Sequence, residues 1–106
     1  MSVQIPPLNP LVVLFARAVL SVIQRLGLEQ QLVISSWYRD PVKNSAVGGE
    51  TNSLHLVGLA MDLDGPLWAL KMMLDFWKAV GLDAVLEDVG TTNEHVHLEL
   101  DGPALR

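Results

Sequence analysis

Apolar residues crowd the stretch from Leu11 to Ile23 and continue past it, and the polar residues of the stretch gather on one side. Wound at 3.6 residues per turn, Arg17, Ser21, Gln24 and Arg25 form one stripe and leave the remaining positions for burial. Asn9-Pro10 offers an N-cap and a proline for the first helical position, and Gly27 offers a stop. A helix is therefore predicted from Pro10 towards Gly27. A second is predicted to open at Gly65-Pro66, run to about Val80 and end at Gly81. Its polar stripe is Lys71, Asp75 and Lys78. Trp68, Met72, Met73, Phe76 and Trp77 fill its other faces, and the tryptophans and methionines among them are expected in the core.

Elsewhere the pattern has period two. Gln31 to Trp37 is short and β-prone, so it reads as a strand. From Val57 to Leu63 the alternation sends Val57, Leu59, Met61 and Leu63 one way and Gly58, Ala60 and Asp62 the other. The small residues of that second face suggest a cleft that backbone or substrate can approach. Leu82 to Val89 reads as a further strand and Gly90 to Asn93 as a turn. Glu94 to Leu100 alternates strictly: Val96, Leu98 and Leu100 face the core, and His95, His97 and Glu99 face away from it. Glu99 reads as a solvated strand residue. Tyr38 to Asn52, with Asp40-Pro41, Asn44-Ser45 and Gly48-Gly49, reads as a loop, and a loop of that length suggests a functional role. The order of elements predicts an α+β fold, an antiparallel sheet backed by helices, with residues 1–106 forming one domain.

Composition narrows the function. Half of the 106 residues are hydrophobic, which predicts a packed domain rather than disorder. The net charge of −5 and the lack of a basic cluster interleaved with aromatics disfavour a nucleic-acid partner, and with it a metal-dependent nuclease. The chain has no cysteine, so a metal must be held by nitrogen and oxygen. Met1 to Pro10 carries no Lys or Arg, and Arg17 interrupts the apolar run that follows, so the expectation is neither a signal peptide nor a membrane span.

All 3 histidines fall inside two short motifs. Ser53 to Asp62 reads S-x-H-x-x-G-x-A-x-D, and Glu94 to His97 reads E-H-x-H. Two imidazoles, a carboxylate ligand and a further carboxylate are the inventory of a catalytic zinc site with an open position for water. His55 lies too far along the chain from Asp62 for a straight strand to bring both to one ion, so the segment between them must curve or begin after a turn. Asp64 shares a face with Asp62; it either orients a ligand or caps the helix at Pro66. Arg39, read by itself, caps a loop by pairing with a surface acid. Gly48-Gly49 is a turn before it is a substrate cradle.

These residues resemble the zinc D-Ala-D-Ala carboxypeptidase family of peptidoglycan peptidases, whose fold is shared with vancomycin-resistance dipeptidases, some phage endolysins and the hedgehog signalling domain. Upstream, Ser36-Trp37-Tyr38-Arg39-Asp40-Pro41, Asn44 and Val47-Gly48-Gly49 are similar to the family's S-x-Y-R-x-P, N and V-G-G stretch. The resemblance runs from Ser35 to about Leu100. It implies one zinc ion on His55, Asp62 and His97. It implies Glu94 as catalytic acid/base, Arg39 as a contact to the substrate carbonyl oxygen, and Ser53 as a contact to substrate or to the first ligand. His95 is implied as the non-ligand histidine facing the site, an aid to catalysis or a rival base. The implied activity is hydrolysis of peptide bonds in peptidoglycan stem peptides or cross-links, as a carboxypeptidase or an endolysin-type endopeptidase. A monomer is expected, either cytoplasmic or phage-encoded and released to the wall. The alternative is a catalytically inactive, zinc-stabilised binding module of the same fold, which would have no chemical need for Arg39 and Glu94.

Overall fold

The computed structural model describes residues 3–106. Helix α1 spans Pro10–Arg25, and the Asn9 side chain accepts from the Val12 N–H at 3.0 Å, as its N-cap position requires. Arg25 in the last turn complements the carbonyl end of the helix. Val12, Phe15, Val19 and Ile23 recur at three- and four-residue spacing and are buried. The face away from the core is less polar than the stripe suggests: Leu11, Leu14 and Leu20 are exposed beside Arg17.

Strand β1 covers Val33–Ser36, and helix α2 covers Pro41–Ala46, inside the stretch read as loop. Asp40 accepts from Lys43 N–H at 2.7 Å and Pro41 takes the first helical position, the same start signal as Asn9-Pro10. A 3-10 turn over Leu54–Val57 precedes strand β2, Ala60–Asp64. The predicted strand from Val57 is thus shorter than its pattern, and Val57 is 54% exposed. Gly58 closes the 3-10 turn with φ +73°, and a Cβ there would collide with Pro6. The space left by its missing side chain is filled by this chain's own Pro6 rather than left for substrate. Helix α3 spans Leu67–Ala79, strand β3 Ala84–Glu87 and strand β4 His95–Glu99.

The strands form one antiparallel sheet in the order β1-β2-β4-β3. Helix α3 packs on β3 and β4, and α1 packs on α3, so both long helices lie on one face of the sheet. The core sits between, with Phe15, Met61, Leu63, Met73, Trp77, Val96 and Leu98 among its buried residues. Trp77 meets Phe15 edge-on at 6.0 Å and donates its indole N–H to Glu99 O at 3.0 Å. Trp68 is 55% exposed and Met72 39%, so neither belongs to the core. The face of the sheet turned away from the long helices carries Asp62, His95 and His97.

Candidate metal centre

Register decides what meets on that open face. Asp62 on β2 lies directly opposite His97 on β4, and His97 in turn opposite Val85 on β3. One row further, His95 lies opposite Glu87. Residues paired across antiparallel strands project to the same side, so β2, β4 and β3 place a carboxylate, two imidazoles and a second carboxylate on one surface. His55 arrives from elsewhere. The 3-10 turn, capped by Ser53 Oγ accepting the His55 N–H at 3.2 Å, swings its ring to the end of β2. This turn is the curvature that the spacing to Asp62 demanded.

The result is a tight cluster. Asp62 Oδ1 lies 2.9 Å from His97 Nδ1 and 3.4 Å from His55 Nε2, and the two rings stand 5.1 Å apart. Arg39 donates to Asp62 Oδ2 at 3.2 Å, which settles its partner as a buried acid of the site rather than a surface one. Each imidazole has one nitrogen oriented from behind. His55 Nδ1 faces the carbonyl of Trp37, whose indole N–H is itself fixed on Gly58 O at 2.8 Å. His97 Nε2 faces Glu99 Oε1 at 2.8 Å. Glu99 is therefore a partner of His97, and not the merely solvated residue its strand position suggested.

This arrangement fits a metal ion. His55 is 1% exposed, and its Nε2 has no hydrogen-bond partner. A buried polar nitrogen without a partner is costly, and ligation would satisfy it. Candidate ligand atoms of His55, Asp62 and His97 all lie within 4.8 Å of one another. Histidine held from behind by a carbonyl or carboxylate is the usual support of a ligating imidazole. The donor set of two nitrogens and one oxygen suits zinc among other divalent ions.

Charge in the cluster is shared out accordingly. Burial alone would raise the Asp62 carboxyl, but the His55 and His97 imidazoles beside it outweigh burial and hold the group well below the carboxylate range. Burial likewise opposes charge on His97, yet its bonds to Asp62 and Glu99 push it up to about 9. A raised folded-state value stabilises below the unfolded value and is lost as pH rises through the folded one. Without metal, the fold is expected to lose on the order of 3 kcal/mol at most between pH 6.5 and 9.5 from this histidine. Urea unfolding of chelator-treated protein across that range checks it; constant stability would show that His97 gains nothing from Asp62 and Glu99.

The remaining sequence candidates are placed differently. His95 joins the same face, with Nδ1 on Asn93 O at 2.7 Å, Nε2 3.0 Å from Glu87 Oε1 and 3.9 Å from Asp62 Oδ1. Burial disfavours its charged form, but the Asn93 carbonyl, Asp62 and Glu87 together raise it. Glu94 is not brought to the cluster: its Oε2 accepts from Gly90 N–H at 2.8 Å and braces the β3–β4 turn. Asp64 is exposed at the end of β2, and α3 begins without a side-chain cap, so it does not cap that helix. Gly48 and Gly49 end α2 and also line one depression beside the cluster. Glu87 was missed by the sequence reading. Ala84, Val85 and Leu86 before it are all apolar, so the sequence carries no alternation that could have found it; its place comes from lying opposite His95.

Two depressions flank the cluster, one bordered by Tyr38, Lys43 and His95, the other by Glu50, Ser53 and His97, and Arg39 and Glu87 line both. Open depressions over buried nitrogen and oxygen atoms able to hold a metal, with an arginine fixed beside them, are the equipment of a metal-assisted hydrolase. Residues 4–99 match the Peptidase M15 family. The chain belongs to that family, whose members are zinc-dependent peptidases. No curated protein matches the chain. Among the described residues, no helix is long and apolar enough to cross a membrane.

Proposed function

We propose that this protein is a zinc peptidase that hydrolyses peptide bonds of peptidoglycan stem peptides or their cross-links. The observation that carries the reading is His55 Nε2, buried and unpartnered, aimed at Asp62 and His97 beneath an open groove. His55, Asp62 and His97 would hold the ion. Zinc, when bound, polarises the scissile carbonyl and lowers the pKa of water towards roughly 7. Arg39, fixed by Asp62 and lining both depressions, presents its guanidinium to the carbonyl oxygen as negative charge develops there. Ser53 holds the turn that aims His55. Depressions on both sides of the cluster would leave peptide room on either side of the scissile bond, which supports cleavage within a stem peptide or cross-link over removal of a terminal residue alone.

The test is mass spectrometry of products from purified peptidoglycan and synthetic stem peptides, with zinc-loaded wild type beside His97→Ala. Internal peptide fragments from wild type only are expected, and their masses name the bond. Release of terminal D-Ala alone would make it a carboxypeptidase. No fragments from a wild type that retains zinc would overturn the reading and favour the binding module.

A further inference from the structure

Charge is divided unevenly between the two faces of the molecule. The chain has 12 acidic and 7 basic side chains, yet of the acids only Asp75 lies on α1 or α3, while Arg17, Arg25, Lys71 and Lys78 all do. A protein of net negative charge thus carries a net positive helix layer. Among the described residues, none of these four cations makes an ion pair. The open face of the sheet is the reverse. There Asp62, Glu87 and Glu99 project from the strands, and among the described residues Arg39 and Lys43 are the only Arg or Lys lining the depressions.

The cations of the helix layer stand among apolar side chains that the core does not use. Leu14, Arg17, Ser21 and Arg25 follow one another at three- and four-residue spacing on the side of α1 opposite Val12, Phe15 and Val19, and all four are exposed. Leu11 and Leu20 are exposed beside them. On α3 the exposed residues Trp68, Lys71, Met72, Asp75 and Lys78 repeat the pattern. Both helices cover the same face of the sheet and pack on each other, so the two outer stripes turn the same way.

Exposed leucines, a tryptophan and unpaired cations on one surface suit a bilayer of anionic phospholipid. The indole and the leucines enter the headgroup boundary, and the long basic side chains reach the phosphates. An anionic polymer with no apolar part would use the cations and leave Trp68 and the leucines in water. A second copy docked face to face would set the four cations against the same four. The net charge of −5 does not oppose the contact. Physiological salt screens charge over about 8 Å. Even the shortest dimension of the molecule is 24 Å, so a surface that meets the helices feels them rather than the acids beyond. We propose that the outer face of α1 and α3 is a docking surface for anionic phospholipid bilayers, with Leu11, Leu14 and Trp68 in the headgroup boundary and Arg17, Arg25, Lys71 and Lys78 on the phosphates. Among the described residues no helix is long and apolar enough to cross a membrane, so contact through these two is peripheral. The face that carries Asp62 and His97 is then turned away from lipid and stays open, whatever it cleaves.

Vesicle binding by the full chain at physiological ionic strength tests it, with equal parts of phosphatidylglycerol and phosphatidylcholine beside phosphatidylcholine alone. Partitioning is expected to be at least about 10-fold stronger on the anionic vesicles, and to fall at least about 10-fold in the double variant Arg17→Glu/Lys71→Glu. Lys43→Glu, on the groove side, is expected to change it less than about 3-fold. Trp37 and Trp77 are buried, so a blue shift of the intrinsic fluorescence on binding reports Trp68 and is expected to vanish in Trp68→Phe. Circular dichroism shows that each variant keeps its helices and sheet. Four results would overturn the proposal: no binding to anionic vesicles, equal binding to both kinds, a double variant that binds like wild type, or Lys43→Glu losing as much as the double variant. A dimer in sedimentation equilibrium that Leu14→Ser abolishes, in a protein that ignores vesicles, would overturn it too and give the face to a second copy.

Discussion

Asp62→Ala is expected to abolish zinc binding, lowering affinity more than about 1000-fold, and to take peptide hydrolysis below detection. The reason lies in how much converges on one carboxylate. Oδ1 serves His97 at 2.9 Å and His55 at 3.4 Å, while Oδ2 receives Arg39 at 3.2 Å. Removing it deletes a ligand and leaves an arginine and two imidazoles facing one another in a site whose acid is only 6% exposed. Repulsion among these groups then disfavours protonation of both histidines, and burial denies them water as a substitute. Isothermal titration with zinc, beside circular dichroism to show that the sheet persists, is the measurement. Retention of wild-type zinc affinity with the sheet intact would remove Asp62 from the ligand set and with it the metal centre described here.

Trp77→Ala is expected to be the most damaging change on the other face of the sheet, costing about 3–5 kcal/mol and lowering the melting temperature by more than about 10 °C. Trp77 is 1% exposed, stands edge-on to Phe15 and ties its indole N–H to the carbonyl of Glu99. Truncation opens a cavity between α1, α3 and the sheet and strips a partner from the backbone of the residue whose side chain orients His97. Two effects are therefore expected from one residue far from the groove: lower stability and looser zinc. Calorimetry of zinc-free protein separates them from zinc affinity measured below the transition. A stability loss under about 1 kcal/mol would mean that the helix layer does not depend on this tryptophan.

Much of this was legible in the chain, and the failures have physical causes. Periodicity, with the start and stop residues Asn9-Pro10, Gly27, Gly65-Pro66 and Gly81, placed α1 and α3, because each is long enough to show several turns of burial. The strict alternation around His95 and His97 put both histidines on the face away from the core, where they stand. Asp40-Pro41 carries the same start signal as Asn9-Pro10, yet α2 is only 6 residues long. A helix of that length has too few turns to display a buried stripe, so its proline and its Asn44-Ser45 pair looked like loop. Trp68 went astray for another reason: hydrophobicity reports what a residue gains from burial, not whether its turn of the helix reaches the sheet. Glu87 and Glu99 were passed over because the partners that give them meaning lie on neighbouring positions of a sheet or along its face. Cross-strand register is set by tertiary pairing, and no single segment encodes it.

His55, Asp62 and His97 also have a mechanical meaning. The chain has no cysteine with which to staple itself. An ion shared by these residues would join a turn to two inner strands and tie together positions 35 residues apart, Asp62 and His97, neither on an outer strand. That is the topology of a cross-link: it restricts the unfolded chain most where the enclosed loop is long, and the inner strands are the last to fray. The ion would then act as a removable clasp. Chelation would withdraw chemistry and architecture together, and open the protein from its centre rather than its margins.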